Sequence, residues 1–131
     1  MFKRKKLFSD FTEAHGIVFL SGIVGLVDGE LADGGLEAEF NAAIERLERI
    51  LEGTKLGLGD VVKITLFVRN MDNYQALNRL YRQWLSDLNL PPARSCIGVD
   101  LPIDANVELD VIASRPDLLT RFFRIFQSPP F

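Results

Sequence analysis

Three residues near the end of the sequence have side chains that could act together on a small molecule. Arg94, Glu108 and Asp110 supply a guanidinium and two carboxylates. A guanidinium binds a small carboxylate through two parallel hydrogen bonds, which a lysine does less selectively. A carboxylate beside the bound molecule can position or deprotonate a water. The alternative is that Arg94 forms an ion pair with one of the acids, across strands or across a subunit interface.

The last two predicted strands decide where these side chains point. Residues 94–99 and 107–113 are short β-rich runs joined by a loop that contains Pro102. We expect them to pair as an antiparallel hairpin that sets Ile97 against Leu109 on the core side. The residues that then share the opposite face are Arg94, Cys96, Gly98, Glu108 and Asp110.

This hairpin does not complete a site. Arg94 and Glu108 are on the order of 13 Å apart along its strands, so other parts of the chain, or of a neighbouring chain, must supply the rest. The sequence has no His/Cys cluster with metal-ligand spacing and no phosphate-binding loop, so no metal is predicted. His15 is interpreted as a surface histidine, and Ser21 lacks the pattern of a nucleophile elbow.

The elements that must position these residues follow from apolar spacing. A buried strand is predicted over 17–21, a helix over 36–52 and a strand over 61–68. Asp72 is placed to cap a second helix, which Pro91 and Pro92 end. Its apolar stripe is Tyr74, Leu77, Leu80, Tyr81, Trp84 and Leu85. The order predicts an α+β fold with both helices on one face of a single sheet.

That arrangement leaves the other face of the sheet open. In the strand over 61–68, Val62 and Ile64 are predicted on the core side and Val61 and Phe67 on the open side. The apolar residues predicted on the open face are Val61, Phe67, Cys96 and Ile112. An apolar face of this kind indicates a protein interface, and self-association into a closed ring is the simplest one.

Composition excludes several classes of protein. The chain has 131 residues, a net charge of -3 and a single cysteine. An acidic chain is not built to neutralise nucleic acid, and no apolar run is long enough to cross a membrane. The basic start of the sequence is not followed by the apolar region of a signal peptide. We therefore expect a cytoplasmic protein with neither a nucleic-acid nor a membrane partner.

Five segments, taken in order, resemble the RidA/YjgF family of reactive intermediate deaminases over residues 8–114. The most specific combination is Pro-Pro-Ala-Arg-Ser, then Leu-Pro, then Val-Glu-x-x-x-Ile-Ala. The resemblance implies a chorismate-mutase-like α+β fold and a homotrimer with clefts between subunits. The segments are 17–22, 40–51, 58–68, 91–96 and 101–113.

The resemblance also implies an activity and a site. Members hydrolyse enamine and imine intermediates such as 2-aminoacrylate and 2-aminocrotonate to 2-ketoacids and ammonia, without a cofactor. By resemblance Arg94 clamps the substrate carboxylate and Glu108 positions the attacking water. Ser21 and the Gly22 backbone line the cleft, and the Cys96 carbonyl faces the substrate nitrogen.

The chain departs from the family at three places, one of which is a Cys96–Glu108 connection one residue shorter than in typical members. Phe8 stands where members carry a tyrosine that helps to hold substrate or water. Beyond the domain at 1–114, residues 115–131 are predicted to form a short amphipathic helix and tail that pack on the same or a neighbouring subunit. Two other functions stay open, a non-catalytic trimer that binds small carboxylates and an endoribonuclease or translation inhibitor.

Overall fold

The structure, a computed structural model, describes residues 5–117. Two helices alternate with strands in the predicted order, after a series of short strands. The strands are β1 (Phe11–Ala14), β2 (Ile17–Leu20), β3 (Ile23–Val24), β4 (Leu26–Val27), β5 (Glu30–Leu31), β6 (Val61–Val68), β7 (Ala93–Gly98) and β8 (Val107–Ser114). The helices are α1 (Gly35–Gly53) and α2 (Tyr74–Trp84).

Both helices form where apolar residues recur at helical spacing. The buried apolar residues of α1 are Phe40, Ala43, Leu47 and Leu51. α2 buries Leu77 and Tyr81, and its Trp84 ring packs edge-on against Phe40 with 5.8 Å between centroids. These residues share one core with the buried side of the sheet. The helices therefore cover the same face, as predicted.

The main sheet has the strand order β1-β2-β8-β6-β7, and β3 pairs with β8 beyond the end of β2. β6 lies parallel to β7 and antiparallel to β8. The predicted antiparallel hairpin of the last two strands is therefore wrong. α2 carries the chain from β6 to β7 as the crossover that parallel neighbours require. The chain then crosses to the other side of β6, so that β8 pairs with β6 and not with β7.

Parallel pairing also reverses the predicted face of alternate β7 residues. Arg94 and Cys96 pair with Ile64 and Leu66, which are fully buried under the helices. Because paired residues in neighbouring strands point the same way, Arg94, Cys96 and Gly98 lie on the helix-covered side. Their predicted place on the open face is wrong. Ile97, expected in the core, is 46% exposed.

The open face agrees with the prediction in part. A β-bulge between Val61 and Lys63 buries Val61 and exposes Val62, the reverse of the predicted alternation. Phe67, Glu108 and Ile112 do lie on this face, since β8 buries the alternate residues. Self-association through it stays a prediction.

The predicted C-terminal helix lies in residues 118–131, outside the described residues. Within 5–117, no helix is both long enough and apolar enough to cross a membrane.

Candidate functional site

Two tyrosines of α2 hold Arg94. Its Nη2 donates a hydrogen bond to the Tyr74 hydroxyl at 3.0 Å. Its guanidinium carbon lies 4.9 Å from the centre of the Tyr81 ring and 5.7 Å from that of Tyr74, which is cation–π geometry. The side chain is half-buried and its orientation is fixed from two sides, so its remaining N–H donors are presented in a defined direction.

A cavity of about 310 Å³ opens beside the guanidinium. Asn78, Tyr81 and Arg82 form its polar wall. The Tyr81 hydroxyl and the Asn78 Oδ1 are buried without a hydrogen-bond partner, the only such side-chain atoms in residues 5–117. Burial raises the pKa of Tyr81, and the positive charge of Arg94 opposes the shift. The open Tyr81 hydroxyl beside the guanidinium can donate to a small anion, whereas the Asn78 Oδ1 can only accept, for example from an N–H group of a ligand.

Sequence reasoning missed the tyrosines and Asn78 as site residues. The spacing of Tyr74 and Tyr81 predicts only an apolar stripe, because residues seven apart lie on one side of a helix. One signal for the tyrosines was their hydroxyl group. A buried tyrosine normally needs a hydrogen-bond partner, so tyrosines in an apolar stripe indicate a polar group or ligand nearby.

Glu108 lies on the open face and rests against Gly22. A Cβ added at Gly22 would come 2.6 Å from the Glu108 Oε1, so the carboxylate can keep this position only beside glycine. Partial burial raises the pKa of Glu108, and the negative charge of Asp110 raises it further. A carboxylate of raised pKa is a stronger base, which suits it to accept a proton from water.

The segment before β1 lies next to Gly22. The Ser21 Oγ donates to the Ser9 carbonyl at 2.6 Å, and the Ser21 amide donates to the Asp10 carbonyl at 3.0 Å. These bonds continue the β1–β2 ladder toward the N-terminus, and Phe8, one residue further, is 62% exposed. The structure thus brings Ser21, Gly22 and Glu108 to one end of the open face, with Phe8 close by in the chain.

Cys96 packs against the edge of the core beside Leu66. Burial raises the pKa of its thiol, while Arg94 acts in the opposite direction. A neutral thiol is a poor nucleophile, so the side chain serves packing.

Arg94 and Glu108 do not meet within one chain. Phe67 of β6 pairs with Ile97 of β7 on one side and with Glu108 of β8 on the other. Arg94 precedes Ile97 by three residues, so it lies two strands across from Glu108 and three residues along the strand direction. From strand geometry their Cα atoms are about 14 Å apart, and their side chains leave opposite faces. No ion pair joins them in the described chain. We call Arg94, Tyr74, Asn78 and Tyr81 the arginine half-site, and Glu108, Gly22 and Ser21 the glutamate half-site.

No group of three or more His, Cys, Asp or Glu side chains in the described part of the chain could hold a metal ion.

Known proteins resemble this chain over most of its length. A family model described as Endoribonuclease L-PSP matches residues 2–115. The RutC family protein UK114 of Drosophila melanogaster is 36% identical over 108 residues, 79% of this chain and 76% of that protein. A 2-iminobutanoate/2-iminopropanoate deaminase of Dermatophagoides farinae is 30% identical over 108 residues, 80% of this chain and 83% of that protein.

A solved structure agrees with the fold. The crystal structure of E. coli TdcF with bound serine has a TM-score of 0.78 to this chain at 25% sequence identity. The match covers 86% of this chain and 91% of TdcF. The extent of the family match and the identity to its members lead to one conclusion: the chain belongs to the RidA/YjgF family.

Proposed function

We propose that this protein is a hydrolytic deaminase of small enamine and imine acids, such as 2-aminoacrylate and 2-aminocrotonate, and releases 2-ketoacids and ammonia. The observation that carries the proposal is Arg94, held by two tyrosines at the wall of a cavity where the buried Tyr81 hydroxyl has no hydrogen-bond partner. The deaminase name of the mite relative supports the same reaction.

The complete site is proposed to form between two copies of the chain. A three- or four-carbon acid cannot span about 14 Å through the sheet, so Arg94 of one copy would work with Glu108 of its neighbour. The open face supports this assembly because Phe19 and Ile97 expose nearly half of their surface there. A homotrimer provides three equivalent sites of this kind.

Each residue has a role that its surroundings support. Arg94 binds the substrate carboxylate through two hydrogen bonds. Glu108, as a carboxylate, takes a proton from a water whose oxygen adds to the imine carbon. Glu108 passes that proton to the nitrogen, which gives an amino alcohol. The hydroxyl proton of this adduct then moves to the nitrogen, the C–N bond breaks, and ammonia leaves as the C=O bond forms. Water and imine thus give ketoacid and ammonia, with no redox change.

The remaining predicted residues line the proposed cleft. The Gly22 backbone and Ser21 flank the Glu108 carboxylate, the Cys96 carbonyl faces the substrate nitrogen, and Phe8 contributes a ring without a hydroxyl. The close approach of Gly22 to the Glu108 carboxylate supports the first of these placements.

A coupled assay tests the reaction. A threonine dehydratase generates the imine, and release of 2-ketobutyrate is followed where spontaneous hydrolysis is slow. Arg94→Lys and Glu108→Gln should each remove most of the acceleration, whereas Arg79→Ala, at an exposed arginine of α2, should retain it. Equal rates with and without the wild-type protein would refute the proposal.

A non-catalytic carboxylate-binding protein is the second candidate. The absence of a hydroxyl at Phe8 favours it, because loss of one hydrogen bond at a polar site costs about 1 to 3 kcal/mol. Calorimetry with 2-ketobutyrate that shows binding dependent on Arg94, in a protein without turnover, would support this function instead.

A further inference from the structure

An apolar groove of about 650 Å³ lies between the start of β6 and the segment that precedes β7. Its lining carries no charged side chain. Val62 at the β-bulge is 46% exposed and Leu90 is 87% exposed. The apolar side chains along it are Val61, Val62, Leu88, Leu90, Pro91 and Pro92. A groove of this composition is suited to an apolar occupant.

The chain leaves the described region beside this groove. Residues 114–117 line a second pocket, of about 320 Å³, which shares Gly59 and Val62 with the groove. Arg115 anchors this end of the described chain: its guanidinium donates to both carboxylate oxygens of Glu13 at 3.0 and 3.1 Å and to the Thr54 carbonyl at 2.9 Å. Asp117, the last described residue, therefore lies in the pocket that adjoins the groove.

The sequence that follows has the composition the groove requires. The family match ends at residue 115, so residues 118–131 are additional to it. Their large apolar residues are Leu118, Leu119, Phe122, Phe123, Ile125, Phe126 and Phe131. An extended chain covers about 3.3 Å per residue, so a few residues after Asp117 are long enough to span the distance to the groove. We propose that the groove is the docking site of residues 118–131 of the same chain.

Limited proteolysis tests the docking. Trypsin can cleave after Arg121 and Arg124, and docking lowers the cleavage rate there because it keeps the backbone from the protease. Val62→Asp places a carboxylate in the groove and should speed cleavage at both bonds about tenfold. Val27→Asp is the matched control, since Val27 is 54% exposed in β4 and lies outside the groove. Equal cleavage rates in the two variants would overturn the proposal.

Disulfide trapping tests which chain provides the occupant. In a Cys96→Ser background, Val62→Cys is combined in turn with Leu119→Cys, Phe122→Cys or Phe123→Cys. At least one pair should oxidise within a single chain, because docking brings the Cα atoms to the distance a disulfide needs. Glu45→Cys, exposed on α1, replaces Val62→Cys in the control. Disulfides only between chains, or yields no higher than the control's, would contradict docking on the same chain.

Discussion

Replacing Gly22 by alanine should remove most of the proposed activity and leave the fold intact. The new Cβ would lie 2.6 Å from the Glu108 Oε1 and 2.8 Å from its carboxyl carbon. An ordinary contact begins at 3.4 Å, so the carboxylate has to move by about 0.8 Å. A displacement of about 1 Å in a reacting group costs on the order of 100-fold in rate. We expect kcat to fall by about that factor in the coupled 2-ketobutyrate assay.

The effect on stability should be small, because the clash is with the end of a side chain. An off-rotamer Glu108 costs about 0.5 to 1.5 kcal/mol, and a glycine-to-alanine change offsets about 0.4 to 1 kcal/mol through the unfolded state. The free energy of unfolding measured by urea titration should therefore change by about 1 kcal/mol or less. Gly53→Ala is the control, since its Cβ would meet nothing within 4 Å. It should keep full activity.

A double-mutant comparison shows whether Gly22 acts through Glu108. Glu108→Gln keeps the shape of the side chain, so adding Gly22→Ala to it should cost little further activity. The reasoning is refuted if Gly22→Ala keeps wild-type kcat, or if the two losses multiply in the double variant.

Three further results are expected. Activity should fall at acid pH with an apparent pKa above the ordinary range of glutamate, because protonated Glu108 cannot accept a proton from water. Asp110→Asn should move that fall to lower pH, since the charge of Asp110 contributes to the raised pKa of Glu108. A pH profile of kcat/KM measures both effects. Tyr74→Phe removes a hydrogen bond from Arg94 and should raise KM several-fold, about 1 kcal/mol, with kcat nearly unchanged in steady-state kinetics. Leu47→Ala leaves a cavity at a fully buried position of α1 and should lower the free energy of unfolding by about 2 to 5 kcal/mol in urea titration.

The helices and the β8 face were predictable because local patterns specify them. Apolar residues at three- and four-residue spacing place α1 and α2 to within a few residues. Strict alternation in β8 places Glu108 opposite the core. The sequence motifs also predict the family, which the comparisons confirm.

Strand pairing was not predictable from the same patterns, because hydrogen bonds between strands join residues far apart in sequence. A short loop favours a hairpin of β7 and β8, yet the α2 crossover makes β7 the parallel neighbour of β6. This pairing moves Arg94 to the other face of the sheet. The bulge at Val62 likewise arises from the register with β8 and not from local alternation.

The sequence by itself determined the helices, the orientation of Glu108 and the family, and it predicts Arg94 and Glu108 as the residues that do the chemistry. Only the tertiary structure decided that Arg94 lies among Tyr74, Asn78 and Tyr81, and that the Glu108 carboxylate rests on Gly22. The physical reason is that a residue's own periodicity fixes which side of its element it occupies, whereas the partners on that side depend on how distant elements pair and pack.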